Sequence, residues 1–180
     1  MKTSFATTLA LAAALCAGAA HASDAIVVNM TGTAGGTFSA GISHTLNAAG
    51  SFEDTYTLVG YSGPSSVNGT LNTLILNSQS ADIDITSVTL NGVSFSQRLI
   101  SFQGNADGRE NYALPASLFD GPLTLVVKGT LVAGLNGSTT GSYSGTIRVA
   151  PMAPVPEPQT YALFAAGLLA LGQIARRRRA

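Results

Sequence analysis

Apolar and polar side chains alternate along much of the chain between residues 37 and 149. Phe38, Ala40, Ile42 and Leu46 share one parity with His44, while Thr37, Ser39, Gly41, Ser43 and Thr45 take the other. Phe52, Asp54, Tyr56 and Leu58 alternate in the same way with Glu53, Thr55 and Thr57. Leu123, Leu125, Val127 and Leu131 fall on one face of a later segment, and Tyr143, Ile147 and Val149 on one face of another. A period of two marks strands with one side against a core and the other in water. No stretch of this region sustains the 3.6-residue period of an amphipathic helix.

Gly, Asn and Ser punctuate these runs. Asn91-Gly92 stands between Ile83–Leu90 and Val93–Phe102 and predicts a two-residue hairpin, because both turn positions tolerate positive φ. Asn68-Gly69 and Asn136-Gly137 are further turn candidates, and Pro115–Phe119 is expected to form a short helical turn. The expected fold is all-β, a single antiparallel β-sandwich of jelly-roll-like form over residues 23–150. Within it, Phe38–Leu46 and Phe52–Leu58 are expected to make a hairpin around Asn47–Ser51. That register sets Leu46 opposite Phe52, His44 opposite Asp54 and Ile42 opposite Tyr56.

The two ends of the chain read differently. Residues 1–22 carry an early lysine, an apolar stretch and Ala20-His21-Ala22, the pattern of a signal peptide cut by signal peptidase after Ala22. Residues 151–160 hold Pro151, Pro154, Pro156 and Pro158, which keep a stalk extended. Residues 161–175 contain one polar side chain, Gln173, besides the Tyr161 hydroxyl, and residues 176–180 begin with Arg176, Arg177, Arg178 and Arg179. As a helix, 161–175 would be about 23 Å long, short of the ~30 Å hydrocarbon layer but tolerable for a single transmembrane helix with snorkelling arginines. The arginines orient the terminus to the cytoplasm and leave the body outside. Two readings follow: a plain C-terminal anchor, or a stalk offered to a membrane-embedded processing enzyme.

Charge narrows the partners. The formal net charge is zero, yet residues 23–149 carry four basic and eight acidic side chains, a net of about −4. That balance argues against nucleic acid, which calls for a basic surface. The one cysteine, Cys16, lies in the leader, so the exported part has neither disulfide nor thiolate chemistry.

The order of features in the tail resembles the PEP-CTERM sorting signal of Gram-negative bacteria: Pro156, Glu157 and Pro158, then Tyr161, a Gly/Ala/Leu-rich span and terminal arginines. The resemblance implies exosortase as partner, transient residence in the inner membrane with the body facing the periplasm, and cleavage near the triplet. It further implies delivery to the cell surface or extracellular matrix, in a setting of exopolysaccharide and biofilm. Phe52, Asp54 and Tyr56 are similar to the motif of the FxDxF family of PEP-CTERM proteins, with tyrosine for the second phenylalanine. No catalytic role comes with that likeness.

Candidate chemistry in the body is sparse. Asp54 between two aromatics requires a partner if its face is internal, and the candidates are His44, Arg98, Arg109, Arg148 and backbone N–H groups. His44 and Asp54 are read chiefly as a structural pair, with binding or catalysis as the alternative. His44 is the only histidine beyond the leader, which excludes a histidine-rich metal site, and no Gly-x-Ser-x-Gly elbow presents a serine. Glu53, Asp54, Glu110 and Asp120 offer carboxylates for glycoside hydrolysis without a defined pair. Asp82-Ile83-Asp84, which opens a strand, and the turn Asn105–Glu110 hold oxygen donors suited to Ca²⁺, but the turn reads better as a plain polar turn. Tyr61, Phe102, Tyr112 and Tyr143 are the aromatics available for a sugar platform. The expectation is a non-enzymatic exported protein with no cofactor and no metal, the alternative being a carbohydrate-binding or adhesin module assisted by Ca²⁺.

Overall fold

The computed structural model describes residues 22–152, apart from 34, 74, 76, 78 and 103, and residues 158–177. Among these described residues, ten strands and one helix follow in order. The strands are β1 (Ala22–Asn29), β2 (Phe38–Leu46), β3 (Gly50–Val59), β4 (Ser65–Thr73), β5 (Asp82–Leu90), β6 (Val93–Ser94), β7 (Ser96–Phe102), β8 (Asn105–Phe119), β9 (Leu123–Val132) and β10 (Gly141–Pro151). The helix is α1 (Pro158–Arg177). One sheet runs β1-β3-β9-β5-β6 and the other β2-β10-β4-β8-β7. The chain passes from one sheet to the other at every connection except β5 to β6 and β7 to β8. This alternation is the one a jelly-roll-like sandwich requires. Pairing is antiparallel throughout except for β1, which lies parallel to β3 along the whole span from Ala22↔Phe52 to Asn29↔Val59.

The period-two reading is realised residue by residue. Phe52, Asp54, Tyr56 and Leu58 of β3 are buried and Leu123, Leu125, Val127 and Leu131 of β9 face the same core. From the opposite sheet come Ala40, Ile42, Val67, Leu71, Tyr143, Ile147 and Val149, and together they form one cluster. Burial of such side chains, at about 25 cal/mol per Å² of apolar surface, is what holds the sheets face to face.

Several local expectations are corrected. The β2–β3 hairpin does not form: β2 pairs with β10, setting His44 opposite Tyr143 and Ile42 opposite Gly145, while β3 lies in the other sheet. In a sandwich whose chain alternates between layers, neighbours in sequence face one another across the core rather than pairing edge to edge. Asn68-Gly69 is not a turn but the interior of β4, at a bulge between Val67 and Gly69. Pro115–Phe119 is not helical; it ends β8, with Ser117↔Val67 and Phe119↔Ser65 paired and Pro115 beside that bulge, where its missing N–H costs the ladder nothing. Asn105–Glu110 opens β8 rather than forming a turn.

The Asn91-Gly92 hairpin is present, with φ of 46° and 82° and Leu90 paired to Val93. The expected strand Val93–Phe102 is split, however. β6 stays with β5, and after the buried Phe95 the chain continues as β7 in the opposite sheet. Asn136-Gly137 is a turn, closed by Gly137 N–H to Gly134 C=O at 2.9 Å.

Gly145 sits mid-strand in β10, between β2 and β4. A Cβ there would lie 2.1 Å from the Thr70 carbonyl oxygen and 2.9 Å from the Leu71 Cα. Both are backbone atoms and cannot swing aside. Gly145→Ala is therefore expected to lower unfolding free energy by about 1–3 kcal/mol, read from a shifted urea midpoint at unchanged slope.

Towards the C-terminus, α1 has 20 residues, about 30 Å of helix, and is longer than the expected 161–175 at both ends. Pro158 fits the first helical position, where its absent N–H is an orphan in any case. Arg176 and Arg177 extend the far end, as good helix formers favoured by the dipole there. Added length brings polar residues with it. Among the described residues no helix is long and apolar enough to cross a membrane, and α1 mixes Gln159, Thr160, Gln173 and arginines with the apolar middle expected to span. Leu163, Phe164, Leu168, Leu169 and Leu171 are exposed.

Candidate functional site

The three motif residues of β3 converge on one ring. Phe52 stacks on Tyr143 of β10 with centroids 5.9 Å apart, and Tyr56 meets the same ring edge-on at 6.5 Å. Asp54, wholly buried between them, accepts a hydrogen bond from the Tyr143 hydroxyl through Oδ2. The one hydroxyl hydrogen of Tyr143 is committed to the bond with the carboxylate, so the Tyr56 hydroxyl donates to Tyr143, at 2.8 Å. This last bond exists because tyrosine stands at the third motif position. Burial pushes the Tyr56 hydroxyl up to about 12, and burial together with the bond to Asp54 pushes Tyr143 upward as well. Both phenols stay protonated at neutral pH and act as donors.

His44 completes the group from the opposite sheet, its Nδ1 lying 2.7 Å from Asp54 Oδ2. The predicted pairing of these residues is thus present, but as a contact across the core rather than along a hairpin. On the far side of the ring, Nε2 lies 3.1 Å from Oδ2 of Asp24 in β1. Sequence reasoning missed both Asp24 and Tyr143 as partners. Asp24 meets Asp54 through a parallel pairing of strands 30 residues apart, which no local pattern signals. Arg98 and Arg148 make no ion pair among the described residues, and Arg109 lies over the Phe102 ring at 4.3 Å, so none of the three serves Asp54.

A second polar group lies where β5 and β8 face each other. β5 is bulged between Ile85 and Ser87 against β9. Ile85 donates its N–H to Glu110 Oε2 at 2.8 Å and accepts the Tyr112 hydroxyl at its carbonyl, both partners coming from the opposite sheet. Side chains thereby satisfy backbone groups of the bulged strand. Gln97 donates to the Tyr112 oxygen at 2.6 Å. Burial pushes the Glu110 carboxyl up to about 7 despite the Ile85 bond, and nearby Asp84, Asp107 and Asp82 raise it further. The two acidic segments, Asp82–Asp84 at the start of β5 as expected and Asn105–Glu110 in β8, meet beside it, with Asp82, Asp84 and Asp107 each bringing an oxygen within 4.8 Å of the others. Asn105 donates to Asp82.

The remaining candidates separate. Glu53 points away from the core and pairs with Lys128 at 3.1 Å, opposite in sense to its neighbour Asp54, and Asp120 is exposed. Tyr112 and Tyr143 are core residues and Tyr61 packs on Phe38. Ala20, Pro156, Glu157, Arg178 and Arg179 lie outside the described residues; Ala22 opens β1, Pro158 opens α1, and Arg176 and Arg177 close it.

Residues 154–179 match the PEP-CTERM protein-sorting motif, so the tail is the sorting signal of an exosortase substrate. No curated protein matches the chain. Among solved structures, Aeromonas hydrophila PliG, a periplasmic lysozyme inhibitor of g-type lysozyme, aligns at 20% identity over 71% of this chain and 99% of its own, with a TM-score of 0.27. The catalytic domain of a GH87 alpha-1,3-glucanase in complex with nigerose aligns at 14% identity over 67% of this chain and 24% of its own, with a TM-score of 0.24. Superpositions this loose support neither a shared fold nor a shared activity.

Proposed function

We propose that this is a non-enzymatic surface or extracellular-matrix protein, held briefly at the inner membrane by its tail, cut by exosortase near Pro156–Pro158 and associated with exopolysaccharide in a biofilm. The observation that carries the reading is the sorting motif over residues 154–179. The helix supports it: α1 begins at the last residue of the Pro-Glu-Pro triplet and leaves its leucines uncovered, a surface that lipid or a membrane-embedded protease would bury. In this reading α1 acts as a recognised element whose arginines fix its orientation. The body supports it by what its polar groups do. His44, Asp54, Tyr56 and Tyr143 are linked to one another, with Asp24 on the far side of the His44 ring, and none is paired with a serine or threonine hydroxyl among the described residues.

Mass spectrometry of the protein from medium and matrix should find a C-terminus near Pro156–Pro158. An intact Arg176–Arg179 tail in the surface pool would overturn the proposal. The carbohydrate-binding alternative has one observation in its favour, an open hollow of about 490 Å³ lined by Leu58, Tyr61, Ser62 and Pro122. Calorimetry against the host's own exopolysaccharide, with and without Ca²⁺, decides it; absence of heat at millimolar sugar retires that reading.

A further inference from the structure

His44 is the only histidine from residue 23 onward, and each of its ring nitrogens faces a carboxylate. Asp24 and Asp54 are register partners on adjacent strands, so both acids issue from one sheet towards a ring of the other. Two carboxylates surround a ring that carries at most one positive charge. Among the described residues the ion pairs are these two and Lys128–Glu53, so no lysine or arginine makes up the deficit. Asp54 is wholly buried, and its Oδ1 has no hydrogen-bond partner. A buried carboxylate oxygen without a donor is costly, and the group as a whole is short of positive charge.

We propose that Asp24 and the Nε2 atom of His44 bind a divalent transition-metal ion of the zinc type, with Asp54 positioning the ring from behind. Imidazole with carboxylate is a donor set suited to zinc and copper rather than to calcium. A carboxylate on the second ring nitrogen is the usual support of a metal-bound histidine: the Nδ1–H···Asp54 bond fixes the tautomer and turns the Nε2 lone pair outward. Nε2 and Asp24 Oδ2 stand 3.1 Å apart, close to the separation of about 3.3 Å between two ligands of a tetrahedral ion with bonds near 2.0 Å. Asp24 and His44 keep 58% and 20% of their side-chain surface accessible, which leaves the other coordination positions to water. Exchanging the ring proton for a doubly charged ion takes the group from a net charge of −1 to zero.

The test is zinc titration of the full chain carrying His21→Gln, so that the leader contributes no imidazole, followed by calorimetry and by ring ¹⁵N resonances. One equivalent should bind, the Nε2 resonance of His44 should move to the position of a metal-bound nitrogen, and excess Ca²⁺ should not displace the ion. Asp24→Asn, a half-exposed substitution on an edge strand, should weaken uptake at least roughly tenfold, and so should Asp54→Asn through loss of ring support. No uptake at millimolar zinc, uptake unaltered by Asp24→Asn, or an unmoved His44 resonance would each overturn the site.

Discussion

Asp54→Ala is expected to remove about 3–5 kcal/mol of unfolding free energy, the range for deleting one partner of a buried charged pair. The carboxylate is the hub of the network. His44 Nδ1 and the Tyr143 hydroxyl both point at its Oδ2, and the Tyr56 hydroxyl is tied in through Tyr143. Without it, two donors face an apolar cavity between Phe52 and Tyr56, and the ring of His44 loses its internal anchor. Tyr143→Phe should cost less, about 1–3 kcal/mol, because one hydrogen bond is lost while the aromatic stack with Phe52 survives. Asp24→Asn should cost under about 1 kcal/mol without metal, since the Asp24 carboxylate is mostly exposed. Urea unfolding of the three variants checks the order. A loss below about 1 kcal/mol for Asp54→Ala would mean that the buried network does not support the fold.

Glu110 sets the second large effect, a dependence of stability on pH. Its folded-state carboxyl is raised from 4.5 to about 7 by burial, then by Asp84, Asp107 and Asp82. Folding therefore favours the protonated acid. The stability this gives is fully present below about pH 4.5, declines as pH rises and is gone above about pH 7. The difference amounts to about 3 kcal/mol at 1.36 kcal/mol per pH unit. Asp82 and Asp84 are also raised, chiefly by burial, and act in the same direction. Glu110→Gln keeps an oxygen to accept the Ile85 N–H and removes the charge. It should raise stability at pH 8 by about 2–3 kcal/mol and flatten the profile between pH 5 and 7. A variant profile parallel to that of the parent would show that Glu110 does not titrate in this range.

Much of the fold was legible because strands announce themselves through parity. Phe52, Asp54, Tyr56 and Leu58 were placed on one buried face, and so were Leu123, Leu125 and Val127. Pairing was less legible. A five-residue loop between two alternating runs has the same appearance whether the runs join in one sheet or cross between two, and here they cross. Asn68-Gly69 misled for a related reason. Glycine serves a turn or a crowded strand equally well, and at Gly69 a Cβ would stand 2.5 Å from Ile147 Cδ1. Of the site, His44 and Asp54 were identified as partners from a register that does not exist, which succeeded because the same parity turns both side chains inward. Asp24 and Tyr143 went unrecognised as members of polar groups, and Glu110 stood among the candidate carboxylates without its partners Ile85 and Tyr112. Their partners come from strands distant in sequence, and burial of Glu110 rests on a bulge in β5 that no residue type advertises.

From residue 23 onward the chain has no cysteine, so it reaches an oxidising compartment without the covalent staples common among exported domains. Polar ties through its middle take that place: His44 to Asp54, Tyr56 to Tyr143, and Glu110 and Tyr112 to Ile85. Such a body needs no oxidase or isomerase to mature, and reductants released by neighbouring cells leave its fastenings untouched.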